Sequence, residues 1–152
     1  MLFSERQFNP IPREPEQGTT MEKVRLFIAD DHAAFSERLA NMLKQIKGVE
    51  IIGQAENASQ AIDTICEVKP EVVILDIHMP PGPGGFEVLR TIKERQAGSV
   101  VIMLTAFPSE EYKQRSISMG ADYFFDKSRD LKNLLSVIKT LVLGSKNRGL
   151  PA

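Results

Sequence analysis

Five polar side chains that can handle a phosphoryl group or its counter-ion follow apolar runs in this sequence. Three are carboxylates, one is a hydroxyl and one is an ammonium: Asp30, Asp31, Asp76, Thr105 and Lys127. If the apolar runs are parallel strands, their carboxyl ends meet at one edge of a sheet, where open α/β sheets bind their ligands. The pattern therefore predicts one site that assembles all five groups.

Three carboxylates at one edge need a compensating charge. Like charges that lie close together raise each other's pKa or require a cation, and ligands that offer only oxygen favour a hard ion such as Mg²⁺. Such an ion would offset the charge of an incoming phosphoryl group. Lys127 would add a fixed positive charge and Thr105 a hydroxyl donor. We therefore predict Mg²⁺-dependent phosphoryl transfer at this edge.

The position of each carboxylate indicates its role. Asp76 stands alone at the end of its apolar run, whereas Asp30 and Asp31 form a pair that suits metal binding. A carboxylate can act as a nucleophile and form an aspartyl-phosphate. We predict that Asp76 is the phospho-acceptor, that Asp31 binds Mg²⁺ directly and that Asp30 is the second acidic ligand.

Short β-rich runs alternate with longer amphipathic stretches from Val24 onward. Their composition and spacing predict five strands, over residues 24–29, 49–53, 72–76, 100–105 and 122–126. Five helices are predicted after them, the first ending at Gly48 and the last running from about residue 130 to 143, with Gly144 as its stop. This alternation predicts a doubly wound α/β fold with a parallel sheet covered on both faces.

Composition narrows the class of protein. A chain of 152 residues with 42% hydrophobic content is ordinary for one globular domain, and a net charge of −1 gives no pull toward nucleic acid or a membrane. A single cysteine, Cys66, suits a reducing compartment, and no apolar run has the length of a membrane span. We expect a cytoplasmic protein without membrane contact.

The two ends of the chain are predicted to be tails. Residues 1–22 are polar, proline-rich and without periodicity, which is typical of a mobile arm. We expect the domain to occupy residues 23–143 and a short tail to follow over 144–152.

Four segments resemble the signatures of response-regulator receiver domains, the CheY-like family of two-component signalling. They occur in the expected order over about residues 23–143: ADDH (29–32), LDIHMP (75–80), LTA (104–106) and GADYFFDK (120–127). Each segment alone is common, but the ordered set is specific. The resemblance implies a five-stranded parallel sheet of order 2-1-3-4-5 with five flanking helices.

The resemblance also implies roles for individual residues. Asp30 and Asp31 would bind the metal, Asp76 would be phosphorylated, and Thr105 and Lys127 would contact the phosphoryl group. The aromatic residue that reorients on activation would be Phe124, and the backbone carbonyl of His78 would be a further metal ligand.

Three departures from the family pattern stand out. The loop PGPGG after the third strand is one residue longer than usual, which leaves the start of the third helix open. Lys127 precedes Ser128, where many relatives have a proline after a cis peptide, and a cis bond before a non-proline residue costs about 3 kcal/mol. Phe124 lacks the hydroxyl of the tyrosine often found there.

The function expected from these residues is that of a response regulator rather than an enzyme. It would accept a phosphoryl group from a histidine kinase or phosphotransfer protein and present a changed face to a downstream protein. Few residues follow Leu143, so we expect no direct nucleic-acid contact by this chain; dimerisation on phosphorylation stays open. Two alternatives remain: a receiver fragment of a DNA-binding transcriptional regulator, and a receiver-like module that binds partners without phosphorylation.

Two enzyme classes are disfavoured. Aspartyl-nucleophile phosphatases usually carry a second acid two residues after the nucleophile, where this chain has His78. A nucleotide-binding domain of this architecture needs a glycine-rich loop after the first strand, and Asp30, Asp31 and His32 occupy that turn.

Overall fold

The protein folds as a five-stranded parallel sheet between two layers of helices. The computed structural model describes residues 23–82 and 84–148. The strands are β1 (Val24–Ala29), β2 (Val49–Ala55), β3 (Val72–Leu75), β4 (Val100–Thr105) and β5 (Tyr123–Asp126). The helices are α1 (Ala33–Lys44), α2 (Ala58–Val68), α3 (Gly85–Arg95), α4 (Glu110–Ser118) and α5 (Leu131–Arg148).

The order of the strands across the sheet is β2-β1-β3-β4-β5, and every neighbouring pair is parallel. This confirms the predicted doubly wound class and strand order. Strand order reverses between β1 and β3, so the carboxyl ends of these two central strands flank the switch point where such sheets bind ligands. The predicted arm (1–22) and the last four residues of the predicted tail lie outside the described part of the chain.

The core has two halves, one on each face of the sheet. Strand residues that alternate along β1, β3 and β4 point to opposite faces; for example, Phe27 packs under α2 and α3, whereas Ile28 packs under α1 and α5. The central strands are apolar throughout because both of their faces are covered.

The predicted boundaries of β2 and α5 differ from the structure by more than one residue, and β3 and β5 are each one residue shorter than predicted. Strand β2 continues two residues beyond Gly53 to Ala55. Helix α5 does not stop at Gly144 but runs to Arg148. A mid-helix glycine costs only about 1 kcal/mol relative to alanine, and Ser145, on the next turn after Leu141 and Val142, is again buried. The inward face thus continues past the glycine.

Helix α4 differs from the others because it has no apolar stripe. Ser116 is its one buried residue, and its hydroxyl donates to the Tyr112 carbonyl at 2.7 Å. Rings and a cation attach the helix to its surroundings: Tyr112 contacts the Phe86 ring, and the Arg115 guanidinium lies 4.1 Å from the centre of that ring. No helix in the described residues is long and apolar enough to cross a membrane.

Candidate functional site

Backbone hydrogen bonds between neighbouring strands position the predicted site residues. The amide of Asp30 donates to Ala55, that of Asp76 to Ala29 and that of Lys127 to Thr105, each at 2.9 Å. Each of these bonds continues the hydrogen bonding between two neighbouring strands by one residue beyond their last paired residues. The carboxyl ends of the strands are level, and their side chains share one edge of the sheet.

The ammonium of Lys127 lies between two buried carboxylates. Its Nζ atom is 2.7 Å from Asp30 Oδ2 and 3.2 Å from Asp76 Oδ2. The side chains of these three residues are 8%, 4% and 4% exposed, in the order Lys127, Asp30, Asp76. The same ammonium lies 4.6 Å from the centre of the Phe35 ring on α1, a cation–π contact that sequence analysis did not anticipate.

The other oxygen of each carboxylate faces backbone donors. Asp30 Oδ1 accepts from the His32 amide at 2.8 Å, and Asp76 Oδ1 accepts from the His78 amide at 3.3 Å. Each carboxylate thus contacts lysine through Oδ2 and the start of its own loop through Oδ1. These contacts, one on each oxygen, fix the planes of both carboxylates.

The charge at this edge is not balanced. Burial, together with the nearby negative charge of Asp30, raises the pKa of Asp76 from its ordinary value of 3.8 to about 6, against the opposing effects of Lys127 and of the His78 amide. Two buried carboxylates share one ammonium, so the site favours an additional positive charge.

The acidic groups fit a divalent cation. One possible ligand atom from each of Asp30, Asp31, His32 and Asp76 lies within 4.8 Å of all the others. Asp31 Oδ1 is buried and has no hydrogen-bond partner among the described residues. Carboxylate oxygens around such a point are the ligands of Mg²⁺, and Asp30, Asp31 and Asp76 would hold it. The predicted participation of the His78 carbonyl stays a prediction.

Thr105 is the last residue of β4, and Phe124 lies within the neighbouring strand β5. Thr105 is fully buried, and its Oγ1 accepts from the Phe107 amide at 3.2 Å. Phe124 is half-buried and packs on the α2–α3 side of the core together with Tyr112. The switching roles given to both residues remain predictions.

The longer loop after β3 ends in two glycines that approach the backbone closely. Gly84 caps α3 and Gly85 is its first residue, with the Gly85 amide donating to Ile77 at 2.9 Å. A Cβ atom on Gly84 would collide with the Ile77 carbonyl oxygen, and one on Gly85 with that of Asp76. These glycines let α3 begin directly against the Asp76 backbone.

The sequence left the geometry of the Lys127–Ser128 peptide bond open. Among the described residues the one cis peptide is Pro80-Pro81, so the Lys127–Ser128 bond is trans. Asp126 Oδ1 organises that turn by accepting from both the amide and the hydroxyl of Ser128 at 2.8 Å.

A cluster of rings borders the site and was not predicted. The His78 ring makes edge contacts with Phe107 and Tyr112, with ring centres 5.9 and 5.4 Å apart. Phe107 is 68% exposed. The only sequence signal was the occurrence of rings in two loops and at the start of α4, which the fold brings together.

Comparisons with known proteins agree with this geometry. The sequence model of the response-regulator receiver domain matches residues 26–139. The chain is 27% identical over 123 residues to response regulator GacA of Pseudomonas aeruginosa, and 32% identical over 123 residues to the uncharacterized transcriptional regulatory protein YvfU of Bacillus subtilis. Each match covers 81% of this chain, but 57% and 61% of those proteins. The chain thus spans about three-fifths of their length.

Solved structures show the same fold. A CheY-like receiver domain protein from Methanospirillum hungatei superimposes with a TM-score of 0.74 at 26% identity, covering 84% of this chain and 100% of that one. A LuxR-family DNA-binding response regulator from Staphylococcus aureus gives a TM-score of 0.72 at 30% identity, covering 78% and 98%. Phosphorylation and Mg²⁺ binding are general properties of this family. The chain belongs to the response-regulator receiver domains of two-component systems.

Proposed function

We propose that this protein accepts a phosphoryl group on Asp76 from a histidine kinase or phosphotransfer protein, with Mg²⁺, and thereby switches a protein-binding face. The observation that carries the proposal is the placement of Asp76: a buried carboxylate that touches the Lys127 ammonium and lies within ligand distance of the acidic pair. The receiver domain would occupy residues 23–143, in the cytoplasm.

The transfer step needs few groups from the protein. An oxygen of ionised Asp76 attacks the phosphorus of a phosphohistidine, the O–P bond forms, the N–P bond breaks, and the leaving imidazole takes a proton from solvent. When bound by Asp30, Asp31, Asp76 and the His78 carbonyl, Mg²⁺ supplies charge neutralisation for the transferred group. Lys127 then exchanges its contact with Asp30 for one with a phosphoryl oxygen.

The switch follows from that exchange. The phosphoryl group draws the Thr105 hydroxyl and Lys127 toward Asp76, which requires Thr105 to give up the Phe107 amide that it now accepts from. The space vacated by Thr105 lets the half-buried Phe124 ring turn inward. The face formed by α4, β5 and α5 then offers a different surface to a downstream protein. The protein assists its own phosphorylation and dephosphorylation but turns over no external substrate.

A second candidate is supported by the relatives. The matched proteins include a transcriptional regulator and a DNA-binding regulator, and this chain spans about three-fifths of the curated relatives. The alternative function is therefore that of the receiver part of a DNA-binding regulator. The length of the native coding frame distinguishes this from a regulator that acts by protein contacts and does not touch nucleic acid.

The experiment that tests the proposal is intact-mass analysis after incubation with a small-molecule phosphodonor, with and without Mg²⁺. The variants are Asp76→Asn and, as a matched control, Asp63→Asn on the exposed face of α2. We expect one Mg²⁺-dependent phosphoryl adduct in the wild type and in the control, and none in Asp76→Asn. No adduct on the folded wild type would instead favour a module that binds partners without phosphorylation.

A further inference from the structure

His32 places an imidazole beside the acidic site. It is the residue before α1, with extended backbone (φ −91°, ψ 94°), and its side chain makes no capping hydrogen bond to the helix. Its amide instead donates to Asp30 Oδ1 at 2.8 Å. This local turn directs the ring back toward the carboxylates that precede it.

The ring nitrogen lies within reach of both members of the acidic pair. His32 Nδ1 is 3.2 Å from Asp31 Oδ1 and 3.6 Å from Asp30 Oδ1. The shorter contact lacks hydrogen-bond alignment, because Asp31 Oδ1 is a buried oxygen without a hydrogen-bond partner among the described residues. This contact is an ion pair only with a protonated imidazole, whereas with a neutral one the nitrogen and the oxygen are two lone-pair donors 3.2 Å apart that one cation can bridge.

The lysine does not obstruct this arrangement. Lys127 contacts Asp30 and Asp76 through their Oδ2 atoms, whereas His32 approaches the Oδ1 side of Asp30. The His32 side chain is 66% exposed, so its nitrogen is open to an ion from solvent. The four side chains Asp30, Asp31, His32 and Asp76 therefore offer three carboxylates and one imidazole around one point.

We propose that His32 is a metal ligand of this site and lets it bind first-row ions that accept nitrogen, such as Zn²⁺, as well as Mg²⁺. Imidazole suits Zn²⁺, whereas Mg²⁺ prefers oxygen ligands. The proposal rests on the proposed function only in placing a cation at the acidic pair. It means that the nature of the bound metal, and not only its presence, depends on this residue.

Calorimetric titration of the full chain with Zn²⁺ and with Mg²⁺ tests the proposal, in the absence of any phosphodonor. A Cys66→Ser background removes the lone thiol as a competing ligand. We expect His32→Asn to weaken Zn²⁺ binding by about tenfold or more, because it removes the one nitrogen ligand, and to change Mg²⁺ affinity by less than about twofold. Asp31→Asn should weaken both ions.

Side-chain ¹⁵N spectra give an independent readout, because the sequence contains two histidines, His32 and His78. Adding Zn²⁺ should shift the His32 Nδ1 resonance to a metal-bound position. Equal Zn²⁺ affinity in wild type and His32→Asn, or an unshifted His32 ring in the Zn²⁺-loaded protein, would overturn the proposal. Mg²⁺-dependent phosphorylation of Asp76 is measured in a separate experiment. The metal-binding result can therefore be interpreted even if Asp76 is not phosphorylated.

Discussion

The two edges of the sheet treat buried polar groups in opposite ways. At the amino edge, the Ser99 hydroxyl donates to the Pro70 carbonyl at 2.8 Å, and the Arg25 guanidinium donates to the Lys69 carbonyl at 2.8 Å. The acceptors in these two bonds are neutral backbone oxygens, and the carboxylates of Glu71 and Asp122 at this edge accept from the backbone amides of Arg25 and Val101. At the carboxyl edge, Asp30, Asp76 and Lys127 bring formal charges together away from water.

The difference separates stability from function. A hydroxyl bonded to a carbonyl is satisfied and needs nothing further. Two buried carboxylates that share one ammonium favour a proton or a cation, as the raised pKa of Asp76 indicates. The hydrogen bonds of the amino edge therefore stabilise the domain, whereas the unbalanced charge of the carboxyl edge favours binding of a ligand. The following variants test that contrast.

Lys127→Met should have the largest effect. It leaves Asp30 and Asp76 buried without their ammonium, and breaking a buried ion pair from one side costs about 3 kcal/mol or more. We expect that loss in the free energy of unfolding, measured with urea at pH 7. Mg²⁺ should restore part of it, because the ion binds only the folded site.

The matched control is Lys132→Met on the exposed side of α5, where a change within about 0.5 kcal/mol is expected. If Lys127→Met were as stable as this control, the carboxyl edge would not depend on its ammonium.

Asp76→Asn should stabilise the metal-free protein, with a pH dependence that identifies the cause. The folded-state pKa of Asp76 is about 6, above its ordinary value of 3.8, so the native state binds the proton more tightly. The wild type therefore loses stability as pH rises from about 4 to above 6, by at most about 3 kcal/mol. The variant should lack this loss, so its advantage is greatest above pH 6 and disappears below pH 4. An advantage that does not vary between these limits would contradict this explanation.

Ser99→Ala tests the opposite edge. Ser99 is 7% exposed, and its removal leaves the Pro70 carbonyl without that donor. The expected cost is about 1 kcal/mol of unfolding free energy, with no change in Mg²⁺ affinity or in the rate of phosphorylation. A slowed phosphorylation rate would show that the two edges are coupled rather than independent.

Phe35→Leu should have the smallest effect and sharpens the description of the carboxyl edge. Leucine keeps apolar bulk but removes the ring face beside the Lys127 ammonium, which lies 4.6 Å from the ring centre. The contact is worth about 0.5–1 kcal/mol, and Phe35→Tyr should retain it. The ε-protons of Lys127 should lose their ring-current shift in the leucine variant alone. If that shift persists, another ring lies over the ammonium.

The composition of the carboxyl edge could be predicted from the sequence, because the alternation of strands and helices implies a parallel sheet and the resemblance to receiver domains supplies its strand order. Apolar runs that end in Asp76, Thr105 and Lys127 place those residues at one edge once the strands are parallel. The contacts of Lys127 with Asp30 and with Phe35 could not be predicted, since they depend on rotamers and on how α1 leans over the sheet. The same holds for the approach of His32 to Asp31.

The end of α5 shows the limit of local signals. Gly144 is a conventional stop, but whether a glycine ends a helix depends on whether the following turn has something to bury. Ser145 is buried in the described structure, although serine is a residue type that is mostly exposed. The start of α3 could not be predicted either, because PGPGG contains more than one glycine that could cap the helix. The structure shows that Gly84 is the cap, where Gly84 and Gly85 approach the Ile77 and Asp76 carbonyls.

The close approach of α3 to the backbone that follows β3 also limits how this region can vary in evolution. Gly84 and Gly85 have no room for a side chain beside the Ile77 and Asp76 carbonyls, whereas a Cβ atom on Gly82 would meet nothing within 4 Å. Insertions and deletions should therefore be accepted on the Gly82 side of the loop and rejected at the glycine pair. A residue added beside Gly82 can lengthen the loop without moving Asp76.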